Sequence, residues 1–232
     1  MRFDRQTPIF ENRYDAGRQL AAGLSEYKGK SAFVLAIPNG GVLVALEVAL
    51  TLEAELNFVI SRKIPLPLSP EGGFGAVTDD GTTILSEEAV KRASLTPHQI
   101  NYQVSQVRTN IRQRSLLYRK NQPPPAIGGK TVIIVDDGLA SGYTMMAAVE
   151  SIRNGRPGSV IVAVPVASAG ALAKVEKIAD KVITCTAGFT PEFYVSDFYR
   201  YWHEPGDDEV IQCLKEWRMR RRPDLESLGK KE

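Results

Sequence analysis

Asp136 and Asp137 are adjacent carboxylates at the end of a β-branched apolar run, Val132-Ile133-Ile134-Val135. Behind them come Gly138, Leu139, Ala140, Ser141, Gly142, Tyr143 and Thr144, then MMAAVESIR, a good helix former. A short apolar run closed by a turn signal predicts a buried strand of a parallel sheet. Small residues and glycines between strand and helix let backbone approach a ligand, and aim N–H groups at an anion on the positive helix end. Ser141 and Thr144 add hydroxyl donors. Such a cradle suits a phosphate.

Carboxylates beside a phosphate repel the ligand unless something compensates. A vicinal diol does so, because an ionised Asp only accepts hydrogen bonds and a diol offers two donors. A divalent cation on the same ligand offsets the remaining charge. The stretch therefore asks for a molecule with a 5-phosphate, a diol and Mg²⁺. An ordinary strand-to-helix turn with acidic caps is the competing reading, but it leaves the Gly-x-x-Ser-Gly-x-Thr run without a purpose.

A second turn, Pro38-Asn39-Gly40-Gly41, follows another apolar run. Its two glycines at a helix start again free N–H groups for an anion, although a plain turn uses the same residues. Arg62 and Lys63, expected at the end of the next strand, could bring positive charge to it.

The elements that must position these loops follow from the patterning. Residues 32–37 predict a strand, 42–56 a helix and 58–60 a strand, a right-handed crossover unit of a parallel sheet. Residues 62–81, rich in Pro and Gly, predict a long irregular excursion, with short strands at 74–78 and 82–85 around Asp79-Asp80-Gly81. Residues 86–120 turn helical, with Ser86 and Thr96-Pro97 as N-terminal caps. The face carrying Arg108, Arg112, Arg114, Arg119 and Lys120 reads as solvated. Residues 122–129, with three consecutive prolines, form a stiff connector. Strand 159–164, helix 169–179 and strand 181–185 complete a doubly wound, mainly parallel α/β sheet with helices on both faces. In such sheets ligands sit beyond the carboxyl ends of strands, where the strand order switches. The aromatic segment 189–202 either covers that crevice or finishes the core. A last helix spans 207–218, and 218–222 form a basic tail.

The chain has 232 residues, 43% hydrophobic and 24% charged, with net charge +2. That fits one elaborated α/β domain and argues against nucleic acid as a partner. Cys185 and Cys213 lack metal-ligand spacing and read as reduced thiols, one on a strand and one on a helix. No apolar stretch reaches membrane-spanning length and the N-terminal segment lacks a signal-peptide core, so the expected location is cytoplasmic.

The Asp136-to-Thr144 run closely resembles the PRPP-binding loop of type I phosphoribosyltransferases. Asp15-Ala16-Gly17, Pro38-x-Gly-Gly, Arg62-Lys63, Gly75-Ala76-Val77, Val164-Pro165-Val166 and Phe193-Tyr194 extend the likeness across nearly the whole chain. Their order resembles a subgroup of predicted phosphoribosyltransferases whose acceptor is unassigned. The resemblance implies a single domain over 1–232. Its core would be 30–85 and 130–186, with a helical insertion at 86–120 and a hood from 1–15 and 188–232.

It further implies transfer of the 5-phosphoribosyl group from PRPP to a nitrogenous base with release of pyrophosphate. Asp136 and Asp137 would hold the ribose diol and, through water or ligand, Mg²⁺. Gly138, Leu139, Ala140, Ser141, Gly142, Tyr143 and Thr144 would hold the 5-phosphate. Asn39, Gly40 and Gly41, helped by Arg62 and Lys63, would receive pyrophosphate, with the irregular 62–81 segment as a mobile catalytic loop. Phe193 and Tyr194 would touch the acceptor, and Asp137 is the candidate general base. Asn39 departs from the family, which often has Arg or Lys there. A homodimer is one assembly open to such an enzyme. Two other readings keep the same loop: a PRPP- or nucleotide-sensing regulator without turnover, and a hydrolase in which water replaces the base.

Overall fold

The β-branched runs set the architecture, because burying both sides of a strand is worth roughly 1.5–3 kcal/mol per large apolar side chain. The computed structural model describes residues 9–67, 69–119, 123–190 and 192–221. Residues 1–8 and 222–232 of the expected hood, and Gln122 of the connector, lie outside the described residues.

Helix α1 (Arg13–Ala22) leads to β1 (Ala32–Ala36), α2 (Gly40–Leu52) and β2 (Glu55–Phe58). Then come β3 (Ser61–Leu66), β4 (Ser69–Thr78), β5 (Thr83–Leu85), α3 (Glu87–Arg92) and α4 (Pro97–Arg119). The chain continues through β6 (Thr131–Val135), α5 (Tyr143–Asn154), β7 (Ser159–Ser168), α6 (Ala169–Val175), β8 (Lys181–Gly188) and α7 (Asp207–Arg221).

The main sheet is parallel, in the order β2-β1-β6-β7-β8. Within β6, Ile133 and Val135 join the core shared with α1, α2 and α7, whereas Val132 and Ile134 join the one shared with α5 and α6. Period-2 alternation thus splits a continuous apolar run between two cores. This is the doubly wound α/β sheet expected of the sequence. The order switches between β1 and β6, since α2 carries the chain outward one way and α5 the other. Both informative turns leave those two strands, so they face each other across the switch-point crevice.

The irregular excursion expected at 62–81 is corrected. Its Pro- and Gly-rich part forms β3 and the start of β4 in an antiparallel sheet of order β3-β4-β5, while the short strands expected at 74–78 and 82–85 stand as the end of β4 and as β5. Ile64, Phe74 and Val77 are fully buried there, alongside Val107 and Ile111 of α4. The prolines fit because the register shifts between Ile64 and Leu66, at the distal end of the hairpin. Arg62 and Lys63 consequently sit on β3 of this second sheet, not at the end of a core strand. The helix expected at 42–56 ends at Leu52, the strand expected at 58–60 is instead Glu55–Phe58, and the last helix continues to Arg221 through most of the expected basic tail. The helix expected to 179 stops at Val175. Strand β8 is half-exposed, as befits the sheet edge, rather than a core strand.

The segments 9–11 and 198–201 meet. Phe10 bridges Tyr199, Arg200 N donates to Phe10 O at 2.8 Å, and Tyr201 N donates to Glu11 O at 2.9 Å. Phe10, Phe198 and Tyr199 form a small apolar cluster with Ala16 and Val166. Cys185 lies exposed on β8 and Cys213 is buried on α7, both as free thiols. Among the described residues no helix is long and apolar enough to cross a membrane.

Candidate functional site

The two switch-point loops are in direct contact, and glycine is what allows it. A Cβ on Gly40 would fall 2.0 Å from Asp137 Oδ2, and one on Gly41 would fall 2.9 Å from Asp136 Cα. Any larger residue would push the loops apart. The Pro38–Asn39 peptide bond is cis.

Asp137 is held by a residue the sequence reading missed. Arg13, first in α1 and only 2% exposed, donates from Nε to Asp137 Oδ2 at 2.8 Å. It also donates to the His203 carbonyl at 2.6 Å, and its guanidinium lies 3.8 Å from the ring centroid of Trp202. The Tyr199 hydroxyl donates to the Asp137 carbonyl at 2.7 Å. Burial raises the pKa of Asp137, and Arg13 opposes that rise. Asp136 lies farther from that cation; burial first, then the neighbouring Asp137, push its carboxyl well above the usual range. Asp136 is therefore the carboxylate that gains most from a bound cation or hydroxyl donor.

Beyond the acids the backbone is braced from outside. Leu139 is buried, and its N–H donates to the Val166 carbonyl at 2.9 Å. Ser168 Oγ donates to the Ala140 carbonyl at 2.7 Å, and Lys174 Nζ donates to the Ser141 carbonyl at 3.2 Å. In a trans peptide the N–H points opposite to its carbonyl, so the Ser141 and Gly142 amides turn away from these braces. Gly142 caps α5 at φ +84°, a left-handed conformation that glycine adopts without strain. The first turn of α5, starting at Tyr143 and Thr144, leaves its N–H groups without intrahelical partners. Ser61 Oγ donates to the Thr144 carbonyl at 2.8 Å.

On the other loop, the Asn39 amide is engaged through both its nitrogen and its oxygen. Its Nδ2 donates to the Pro205 carbonyl at 2.8 Å and to Asp207 Oδ1 at 3.2 Å. Its Oδ1 accepts from Arg114 Nη1, while the nearby Tyr118 hydroxyl donates to Asp207 Oδ1 at 2.5 Å. The sequence reading placed Arg114 on a solvated face; that is corrected, as is Arg119, which pairs with Asp79 at 2.8 Å. Strand alternation puts Arg62 and Lys63 on opposite faces of β3. Arg62 feels Arg114, Tyr118 and Asp207, and burial lowers its pKa. Lys63 is exposed and shares its face with Ser61.

A cleft of about 450 Å³ opens beside the Asp136 loop. Ala140 and Ser141 line it on one side, with Ser168, Phe189 and Phe193 among the others. Phe189, 84% exposed, was not singled out from sequence; Tyr194, which was, is also exposed and lies outside the cleft lining. Among the described residues no three His, Cys, Asp or Glu side chains converge as a metal cage. The acid pair still suits Mg²⁺, which binds through one or two carboxylates plus ligand oxygens.

A doubly wound sheet with an acid-ended strand and two glycine turns in contact at the switch point defines a class of α/β domain whose ligand crevice lies at the carboxyl ends of its strands. Comparison with known proteins gives the family: residues 6–197 match the phosphoribosyl transferase domain, and the chain belongs to that family. A Mycobacterium tuberculosis protein named "Putative phosphoribosyl transferase Rv0571c" is 35% identical over 89% of this chain and 46% of its own length. The chain thus spans about half the length of the curated relatives it matches. The crystal structure of TT1426 from Thermus thermophilus is 34% identical, with a TM-score of 0.72, over 90% of this chain and 98% of that one.

Proposed function

We propose that the chain transfers the 5-phosphoribosyl group of PRPP to a nitrogenous base or similar nucleophile, releasing pyrophosphate. The observation that carries this is the contact of the two loops at the switch point, with Gly40 against Asp137. That contact supports the reading, because one phosphorylated sugar could then meet both the acid pair and the helix start after Asn39.

The C1–oxygen bond to pyrophosphate breaks with its electron pair on the departing oxygen. A nitrogen lone pair forms the new bond to C1, and the nitrogen's proton passes to water or to an oxygen of the departing pyrophosphate. The transition state is oxocarbenium-like, so catalysis rests on positioning, on neutralising the leaving group and on excluding water. Asp136 and Asp137 accept the two ribose hydroxyls. Ser141, Thr144 and the amides of the Gly138-to-Thr144 loop hold the 5-phosphate, except that of Leu139, which is spent on the Val166 carbonyl. The Gly40 and Gly41 amides receive pyrophosphate, with Arg62 and Lys63 approaching from the two faces of β3. Mg²⁺, held by Asp136 and Asp137 through ligand or water, would add positive charge to pyrophosphate. Phe193 and Phe189 offer aromatic surface to an acceptor ring, with Tyr194 at the rim. Asp137 serves poorly as a general base, because Arg13 already occupies one of its oxygens.

The test is pyrophosphate release from PRPP against a panel of bases. Base-dependent release supports the transferase. Consumption without base would convert the reading to a hydrolase, and binding without consumption would convert it to a sensor.

A further inference from the structure

A departing pyrophosphate needs positive charge, and the loop that would receive it has none of its own. Asn39 cannot supply donors either. A carboxamide has two N–H donors and two acceptor lone pairs. Both donors are engaged here, by the Pro205 carbonyl and Asp207, and Arg114 donates to the amide oxygen. The Asn39 side chain is a hub, and the group plugged into it from α4 is a guanidinium. Arg114 lies 3.4 Å from Asp207 and its side chain is 25% exposed, so it is neither sealed in the core nor free in solvent. A second guanidinium, Arg62, stands close enough to feel it.

Resting on the transferase reading, we infer that Arg114 is the leaving-group-binding cation of this chain, contributed by the helical insertion in place of a basic residue in the loop. Asp207 is its counter-ion before substrate arrives. Phosphate oxygens then compete for the guanidinium, whose planar fork fits them in pairs. Asn39 keeps Arg114 at the loop while this exchange takes place. The specificity that follows is for ligands carrying pyrophosphate at C1 over those carrying only a 5-phosphate.

The test compares Mg²⁺-pyrophosphate, PRPP and ribose 5-phosphate as probes by calorimetric titration. Arg114→Gln should weaken pyrophosphate and PRPP binding about ten- to hundredfold, the range for hydrogen bonds to charged groups, and leave ribose 5-phosphate unchanged. Arg114→Lys should fall between. Asp207→Asn removes the competing carboxylate and should tighten pyrophosphate binding severalfold, a gain that no folding defect produces. Equal losses for all three probes, or unchanged pyrophosphate binding in Arg114→Gln, would overturn the assignment. So would failure of Asp207→Asn to tighten it. If wild type binds neither PRPP nor ribose 5-phosphate, the transferase reading fails first, and this inference falls with it.

Discussion

Arg13 Nε donates to Asp137 Oδ2 across 2.8 Å, joining the first residue of α1 to an acid 124 positions further on. The same guanidinium stacks on Trp202 and bonds the His203 carbonyl, so one side chain ties the acid pair to α1 and to the segment after Tyr199. Removing one partner of a buried ion pair leaves the other charged and desolvated. Arg13→Ala should cost about 3 kcal/mol, a fall of roughly 6–12 °C in Tm for a chain of this size. Arg13→Lys should recover little, because an ammonium cannot reproduce the fork and the stack together. Thermal denaturation measures both, and a fall below about 2 °C for Arg13→Ala would contradict the pair's structural role.

Gly40→Ala places a methyl 2.0 Å from Asp137 Oδ2, where something must move. Overpacking of this kind costs about 1–3 kcal/mol. The movement separates the two loops, so PRPP binding should suffer more than stability. A variant that binds PRPP like wild type would show that the contact is not needed.

Ser168→Ala and Lys174→Met each remove one brace on the Asp136 loop while leaving its own residues intact. A hydrogen bond contributes about 0.5–1.5 kcal/mol, so each change should weaken ribose 5-phosphate binding roughly two- to tenfold. Pyrophosphate binding should hold steady, which a pair of titrations would check.

Asp180 gives a pH signature. Its carboxylate accepts from Arg153 at both oxygens and from the Val160 N–H at 2.7 Å. Arg153 first, then that N–H, hold its pKa below the usual range. A depressed carboxylate contributes stability above its unfolded pKa of about 4, and loses it as pH falls through the lower folded value. Wild type should therefore exceed Asp180→Asn in urea midpoint at pH 6, with the difference closing below about pH 4. A difference that persists unchanged at low pH would rule out this linkage.

The Asp136 loop was legible as a strand-to-helix turn because an apolar run, two acids and closely spaced glycines and small residues mark its start and end. The alternating cores were legible because β6 and β7 are continuous apolar runs. Arg13 was not, since nothing local marks a residue whose partner lies on another element. Arg114 carried a signal that net charge concealed. Val107, Ile111, Arg114 and Tyr118 share the spacing of one helical stripe, and three of them are buried. An arginine on an apolar stripe has a partner to find, whereas Arg112 on the opposite face does not. The 62–81 segment misled because prolines at a hairpin's far end look like prolines in a loop.

The most direct test of the central claim is a thermal-shift titration with PRPP, with and without Mg²⁺, on wild type and Asp136→Asn. Asp136 is the better acid to change, because substituting Asp137 would strand the buried charge of Arg13. At a hundredfold excess over Kd, a ligand specific for the native state adds ~2.7 kcal/mol, or about 5–11 °C here. A Mg²⁺-dependent shift of that size in wild type, lost in Asp136→Asn, is the result this account predicts. No shift at millimolar PRPP, or an equal shift in both proteins, would contradict it.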